Sequence, residues 1–145
     1  MDIQLLTWQQ AEEIALPIRI EIFVREQSVP FDLEQDEYDS VATHALLWVD
    51  GQAIGTGRVF KKDIDSNHFF IGRLCVLNKY RGSGYGEYLM KSLIQYALQQ
   101  GAVKCCIHAQ TMSQLFYKKL GFVAYPETFM EAGIEHVLMQ LTMTQ

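Results

Sequence analysis

The chain has 145 residues, 49% of them hydrophobic and 20% charged, which excludes a disordered chain and fits one globular domain spanning residues 1–145. A net charge of −5 argues against a general nucleic-acid binder, which needs a basic face. The N-terminus carries no basic segment followed by an apolar run, and the apolar stretches fall short of the ~20 residues of a membrane span, so the expected compartment is the cytoplasm, with no membrane partner.

Residues 2–7 alternate apolar and polar and predict a strand. A helical pattern starts at Thr7 or Trp8 and runs to about Gln27, with Ile14, Ile18, Ile22 and Phe23 at helical spacing. Pro17 lies inside it, which predicts a kink or a break into two helices. Residues 28–41 read as a loop containing Pro30 and five acids: Asp32, Glu34, Asp36, Glu37 and Asp39. That cluster fits either a solvated loop or a rim attracting a cationic amine. His44–Val49 and Ala53–Lys61 flank Asp50-Gly51, a strong hairpin signal. There follow a strand at 68–76, a helix at 84–99 stopped by Gly101, a strand at 103–109, a helix at 111–120 and a final strand at about 134–143. Strands and helices in this order give an α+β pattern with a mixed sheet. Cys75, Cys105 and Cys106 suggest no disulfide framework. Adjacent residues on a strand face opposite sides, so Cys105 and Cys106 read as small buried hydrophobes rather than a redox pair.

The most informative stretch is Arg81-Gly82-Ser83-Gly84-Tyr85-Gly86, between the strand at 68–76 and the following helix. A strand that runs through glycines into a helix N-terminus is an anion-binding device, because the first helical N–H groups lack acceptors and carry the positive end of the helix dipole. A mononucleotide P-loop is excluded, since Gly86 is followed by Glu87 and Tyr88 rather than Lys-Ser/Thr. A dinucleotide fingerprint fails in either register: its third glycine would fall on Glu87 or on Leu89. The chain is acidic overall, so an anion site here must be locally positive, through Lys79, Arg81 and the helix end.

The same six residues resemble the Arg/Gln-x-x-Gly-x-Gly/Ala signature of the GCN5-related N-acetyltransferase (GNAT) family. Downstream, Leu115-Phe116-Tyr117-Lys118-Lys119-Leu120-Gly121-Phe122 is similar to that family's second signature, a helix with a tyrosine that ends in Leu-Gly-Phe. The resemblance covers about residues 42 to 143. A narrower one, carried by Ile22-Phe23-Val24-Arg25-Glu26-Gln27 with Val29-Pro30, Asp36-Glu37, Asp39 and Thr43-His44, is to a small uncharacterised bacterial subgroup.

The resemblance implies a three-layer α/β fold, with a mixed, mostly antiparallel sheet flanked by helices and a splayed central strand pair. It implies an acetyl-coenzyme A-dependent N-acetyltransferase that moves an acetyl group to a primary amine of a small molecule or peptide, by direct attack in a ternary complex and without a metal. In the family the pantetheine arm pairs with strand backbone, which transfers to Leu74, Cys75 and Val76. The pyrophosphate transfers to the N–H groups of Arg81, Gly82, Ser83, Gly84, Tyr85 and Gly86, with Glu87 adjoining. Tyr117 matches the tyrosine that serves as general acid toward the thiolate; it also fits a helix tyrosine packed against the sheet with its hydroxyl on a backbone partner. Gln110 stands where many members carry an asparagine that contacts coenzyme A; an amide one methylene longer keeps the same donor and acceptor. His108, at a strand end, has the side chain best suited to act as base. It also fits a histidine satisfied by backbone, and His44 is a weaker candidate. Glu26 is expected near the acceptor. Dimers are common in the family. The alternative to an enzyme is a module that binds acyl-coenzyme A without turning it over.

Overall fold

The computed structural model describes residues 1–143; residues 144 and 145, assigned above to the same domain, lie outside the described part. Seven strands form one sheet in the order β1-β2-β3-β4-β5-β7-β6. They are β1 (Asp2–Thr7), β2 (Thr43–Val49), β3 (Gln52–Phe60), β4 (His68–Val76), β5 (Lys104–Gln110), β6 (Val123–Glu131) and β7 (Ile134–Thr142). All neighbouring pairs are antiparallel except β4 with β5. The helices are α1 (Trp8–Arg19), α2 (Phe31–Glu34), α3 (Tyr85–Gln99) and α4 (Gln114–Lys119). None is long and apolar enough to cross a membrane.

Strand alternation sends the helices to opposite faces. On β2, Leu46 packs with Ala11 and Ala15 of α1. Its neighbours Ala45 and Leu47 belong to the main core with Leu89, Met90, Leu93 and Ala97 of α3. On β4, Cys75 joins Ile18 and Ile22 on the α1 side, while Leu74 and Val76 pack on the α3 side. Burying each large aliphatic side chain contributes ~1.5–3 kcal/mol, so the two helices clamp the sheet from both faces.

Three elements differ from expectation. The first helix is not interrupted at Pro17. Thr7 opens it with a capping box to Gln10, and the helix passes through the proline and changes winding only after Arg19, into a π-helical segment at Ile20–Glu26. The predicted loop at 28–41 contains the short α2. The largest difference is β6, a strand over residues read as connection. It is an edge strand whose Pro126 falls within a register break between Ala124 and Thr128, so the missing N–H costs no ladder bond.

Candidate functional site

β4 and β5 are paired only from His68↔Lys104 to Phe70↔Cys106. Beyond that, β4 follows β3 as far as Val76 and β5 follows β7 as far as Gln110. Each strand is satisfied on its outer side, so the inner edges part. The opening is a cleft of about 450 Å3, lined by Ile71 to Leu74 of β4, by Ile107, His108 and Gln110 of β5, and by Tyr117 of α4. Unpaired strand edges offer alternating N–H and C=O groups to an extended ligand. Of the three expected backbone positions, Leu74 lines the cleft, and Cys75 and Val76, the next residues of β4, are not among its lining residues.

A bulge marks the divergence. Thr56 pairs with Cys75 and Arg58 with Gly72, so Gly57 alone faces both Arg73 and Leu74. Arg73 takes a left-handed φ of 49° there. Gly57 is needed for this approach: a Cβ on it would lie 3.1 Å from Leu74 Cδ1 and 2.8 Å from Leu93 Cδ1. Sequence gave no sign of the bulge, because arginine is not a residue that favours positive φ.

After β4 the chain makes one 3-10 turn at Asn78–Tyr80 and enters the glycine loop. Gly82 and Gly84 both have φ of 84°, and a Cβ on either would meet nothing within 4 Å. Their absence of side chain is therefore a matter of backbone conformation and of open space in front of the loop, not of packing. Gly84 is the N-cap of α3 and offers no side chain to it. The first helical bond runs from Tyr88 N–H to the Gly84 carbonyl at 3.1 Å, which leaves the N–H groups of Tyr85, Gly86 and Glu87 without intrahelical acceptors. Gly86 faces Phe116, and Glu87 is exposed and paired with Lys91 at 3.8 Å. Arg81 folds back along β4, donating from Nε to the Val76 carbonyl at 2.9 Å and pairing with Glu26 at 2.9 Å. Glu26 thus joins the glycine loop and does not line the cleft.

Tyr117 packs edge-on against Phe116 and Phe122. Burial pushes its phenol up to about 12, so it stays protonated at neutral pH. Tyr117 is among the residues that line the cleft. Gln110 Nε2 donates to Gln27 Oε1 at 2.8 Å, tying β5 to the end of the π-helical segment. Cys75 is buried, which pushes its thiol up to about 12 and disfavours a thiolate nucleophile.

His108 lies on the cleft wall with Nδ1 3.1 Å from Glu131 Oε1. Its partner is thus a carboxylate rather than backbone. The hydrogen bond from His108 is the main reason the Glu131 carboxyl lies below its ordinary range, against burial. His136 Nε2 stands 3.7 Å from the other Glu131 oxygen. Glu131 ends β6 and His136 lies on β7, so this group was invisible while β6 was read as connection. His44 is buried away from the cleft with Nε2 2.9 Å from the Asp39 carbonyl, so that nitrogen must carry the proton and donate.

The acid cluster is neither a solvated loop nor a free rim. Glu34 and Asp39 are 2% and 3% exposed. Arg19 bonds both, Arg58 bonds Asp36 and Asp39, and Arg73 bonds Glu34 and Asp36. Three cations thus neutralise three carboxylates, as buried charge requires, and only Asp32 and Glu37 face water without such partners. Glu34, Asp36, Arg58 and Arg73 form one wall of the cleft.

Residues 9–143 match the family model described as an acetyltransferase (GNAT) domain. The chain is 36% identical over 126 residues to the uncharacterized N-acetyltransferase YjcF of Bacillus subtilis, covering 86% of this chain and 88% of that one. It superposes on the crystal structure of an acyl-CoA N-acyltransferase from Pseudomonas aeruginosa with a TM-score of 0.85, 29% identity, and 96% and 97% of the two chains covered. For Escherichia coli ElaA the TM-score is 0.86 at 27% identity, with 96% and 97% covered.

Proposed function

The chain belongs to the GNAT acetyltransferase family, and from that premise we propose that it transfers an acetyl group from acetyl-coenzyme A to a primary amine of a small molecule or peptide. The observation that carries this reading is the parting of β4 from β5 directly upstream of the glycine loop, with Tyr117 facing the gap. The pantetheine arm lies along Leu74, Cys75 and Val76 like an added strand. The pyrophosphate sits before the N–H groups of residues 81 to 87, against the positive helix end. A cytoplasmic setting, where the acyl donor is held, is part of the same proposal.

Direct attack follows from the chemistry of the groups present. The neutral amine adds to the thioester carbonyl, the new C–N bond forms, and the oxyanion takes a hydrogen bond from the Leu74 N–H. The C–S bond then breaks and the thiolate takes the Tyr117 proton. The proton lost by the amine passes to His108, held by Glu131, or to water, and solvent exchange restores Tyr117. Amide and free coenzyme A are the products. A covalent acyl-Cys75 route is disfavoured by the raised thiol pKa.

Incubation with acetyl-coenzyme A and a panel of primary amines, following free thiol release, tests this reading. Amine-dependent release is expected. Binding of acetyl-coenzyme A without release for any amine would instead favour a non-catalytic acyl-coenzyme A sensor.

A further inference from the structure

Arg73 occupies a backbone conformation that arginine does not favour. Its φ of 49° falls in the left-handed region, which strains a non-glycine residue and persists only when surroundings enforce it. It stands in the bulge opposite Gly57, one residue before Leu74. Its side chain is tied to the 31–39 segment. Nε donates to the Glu34 carbonyl at 3.0 Å and to Glu34 Oε2 at 3.1 Å, and Nη2 lies 3.3 Å from Asp36 Oδ2. These acceptors are themselves fixed. Arg19 Nε holds Glu34 at 2.9 Å, and Arg58 holds Asp36 through both nitrogens at 2.6 and 2.7 Å.

We infer that Arg73 is a positioning residue: its bonds to Glu34 and Asp36 hold the β4 bulge, and with it the Leu74 N–H, in the arrangement that receives the acyl oxygen. The inference rests on the transfer reaction proposed above. It means that the segment at 31–39, which walls the acceptor side, and the donor to the developing oxyanion are parts of one structure. When the segment is in place the bulge is set; when the tether is cut the bulge relaxes to an ordinary strand conformation, and Leu74 with it.

Replacing Arg73 by alanine and by glycine separates this role from others. Both variants lose the same bonds to Glu34 and Asp36, so any cost to the charge network is shared. They differ in backbone preference alone, since only glycine adopts positive φ freely. With Arg73→Ala, kcat should fall by ~100-fold or more, the scale of losing an oxyanion donor, with KM for the amine little changed. Arg73→Gly should recover roughly tenfold of that loss, the factor expected when ~1.4 kcal/mol of backbone strain is removed. Equal kcat in the two variants, or a loss confined to KM for the amine, would overturn the inference and make Arg73 an acceptor contact. Amide exchange at Leu74 in the protein without substrate reads the tether independently of turnover. It should be faster in Arg73→Ala than in wild type, with Arg73→Gly between the two, and a wild-type rate in Arg73→Ala would sink the tether. No turnover by wild type would overturn the proposed reaction, and the catalytic meaning of the tether with it, while leaving the exchange comparison decisive for the bulge.

Discussion

Gln110 Nε2 donates to Gln27 Oε1 at 2.8 Å, so the residue proposed, from the family resemblance, to contact coenzyme A is tied to another residue of the cleft lining. The bond fixes the orientation of the amide and leaves the Gln110 carbonyl oxygen to accept from a ligand. A net hydrogen bond is worth ~0.5–1.5 kcal/mol. Gln110→Leu should therefore weaken acetyl-coenzyme A binding by about 2- to 12-fold, and Gln27→Ala by less, because it removes orientation and not the contact. Calorimetric titration measures both. Unchanged affinity in Gln110→Leu would remove this residue from the donor site.

Tyr117→Phe deletes the proposed proton donor and keeps the ring that packs on Phe116 and Phe122. A positioned general acid contributes ~10²–10⁴-fold, so kcat should fall by at least ~100-fold while coenzyme A affinity stays within a few-fold. Burial pushes the phenol up to about 12, and in the proposed mechanism the acid form is the active one. Ionisation of Tyr117 should therefore produce no alkaline decline in kcat/KM between pH 7 and about 10. A decline in that range that disappears in Tyr117→Phe would contradict the assignment of its ionisation.

Gly57→Ala would place a Cβ 2.8 Å from Leu93 Cδ1 and 3.1 Å from Leu74 Cδ1. Both are side-chain ends and give way at a cost, about 1–3 kcal/mol for overpacking of this kind. The melting temperature should drop by several degrees. Gly51→Ala, at a hairpin position where a Cβ meets nothing within 4 Å, should cost only its backbone strain, ~1–2 kcal/mol.

Two groups, buried His44 and partly exposed Asp36, give the stability two acid-dependent steps. Burial lowers the pKa of His44 below its ordinary 6.5, outweighing the Asp39 backbone carbonyl that raises it. The unfolded chain then binds the proton more readily, so stability is complete above 6.5 and declines as pH falls below it. Burial raises Asp36, but the hydrogen bonds and charge of Arg58, the charge of Arg73 and the Tyr38 N–H together outweigh it and bring the carboxyl from 3.8 to about 2. That contribution is complete above 3.8 and is lost as pH falls toward 2. In melting curves, His44→Gln should abolish the first decline and keep the second; a first decline that persists would assign it elsewhere.

The parts of the fold that rest on local chemistry were legible in the sequence. Asp50 and Gly51 take φ of 50° and 78° as the hairpin signal requires, and the glycine loop marked its own left-handed turns. Features built from distant partners were not legible. The five acids looked like surface because Arg19, Arg58 and Arg73, which neutralise three of them, come from a helix and two separate strands. The hairpin joining β6 to β7 was hidden by its turn: Ala132 and Gly133 have φ of 52° and 78°, and alanine is a poor marker for such a position. With β6 unseen, Glu131 had no place beside His108. Winding through Pro17 shows tertiary packing overriding a local breaker, since Ala15 and Ile18 on either side are buried against the sheet.

Hydrogen exchange with and without acetyl-coenzyme A tests the central claim most directly, because the groups proposed to hold the donor are backbone amides. Saturating acetyl-coenzyme A should slow exchange at residues 74–76 and at 82–87, with ATP leaving both segments unchanged. Protection of the loop by ATP as readily as by acetyl-coenzyme A, or acetyl-coenzyme A binding that leaves residues 74–76 unprotected, would contradict the placement of the acyl donor between β4 and β5.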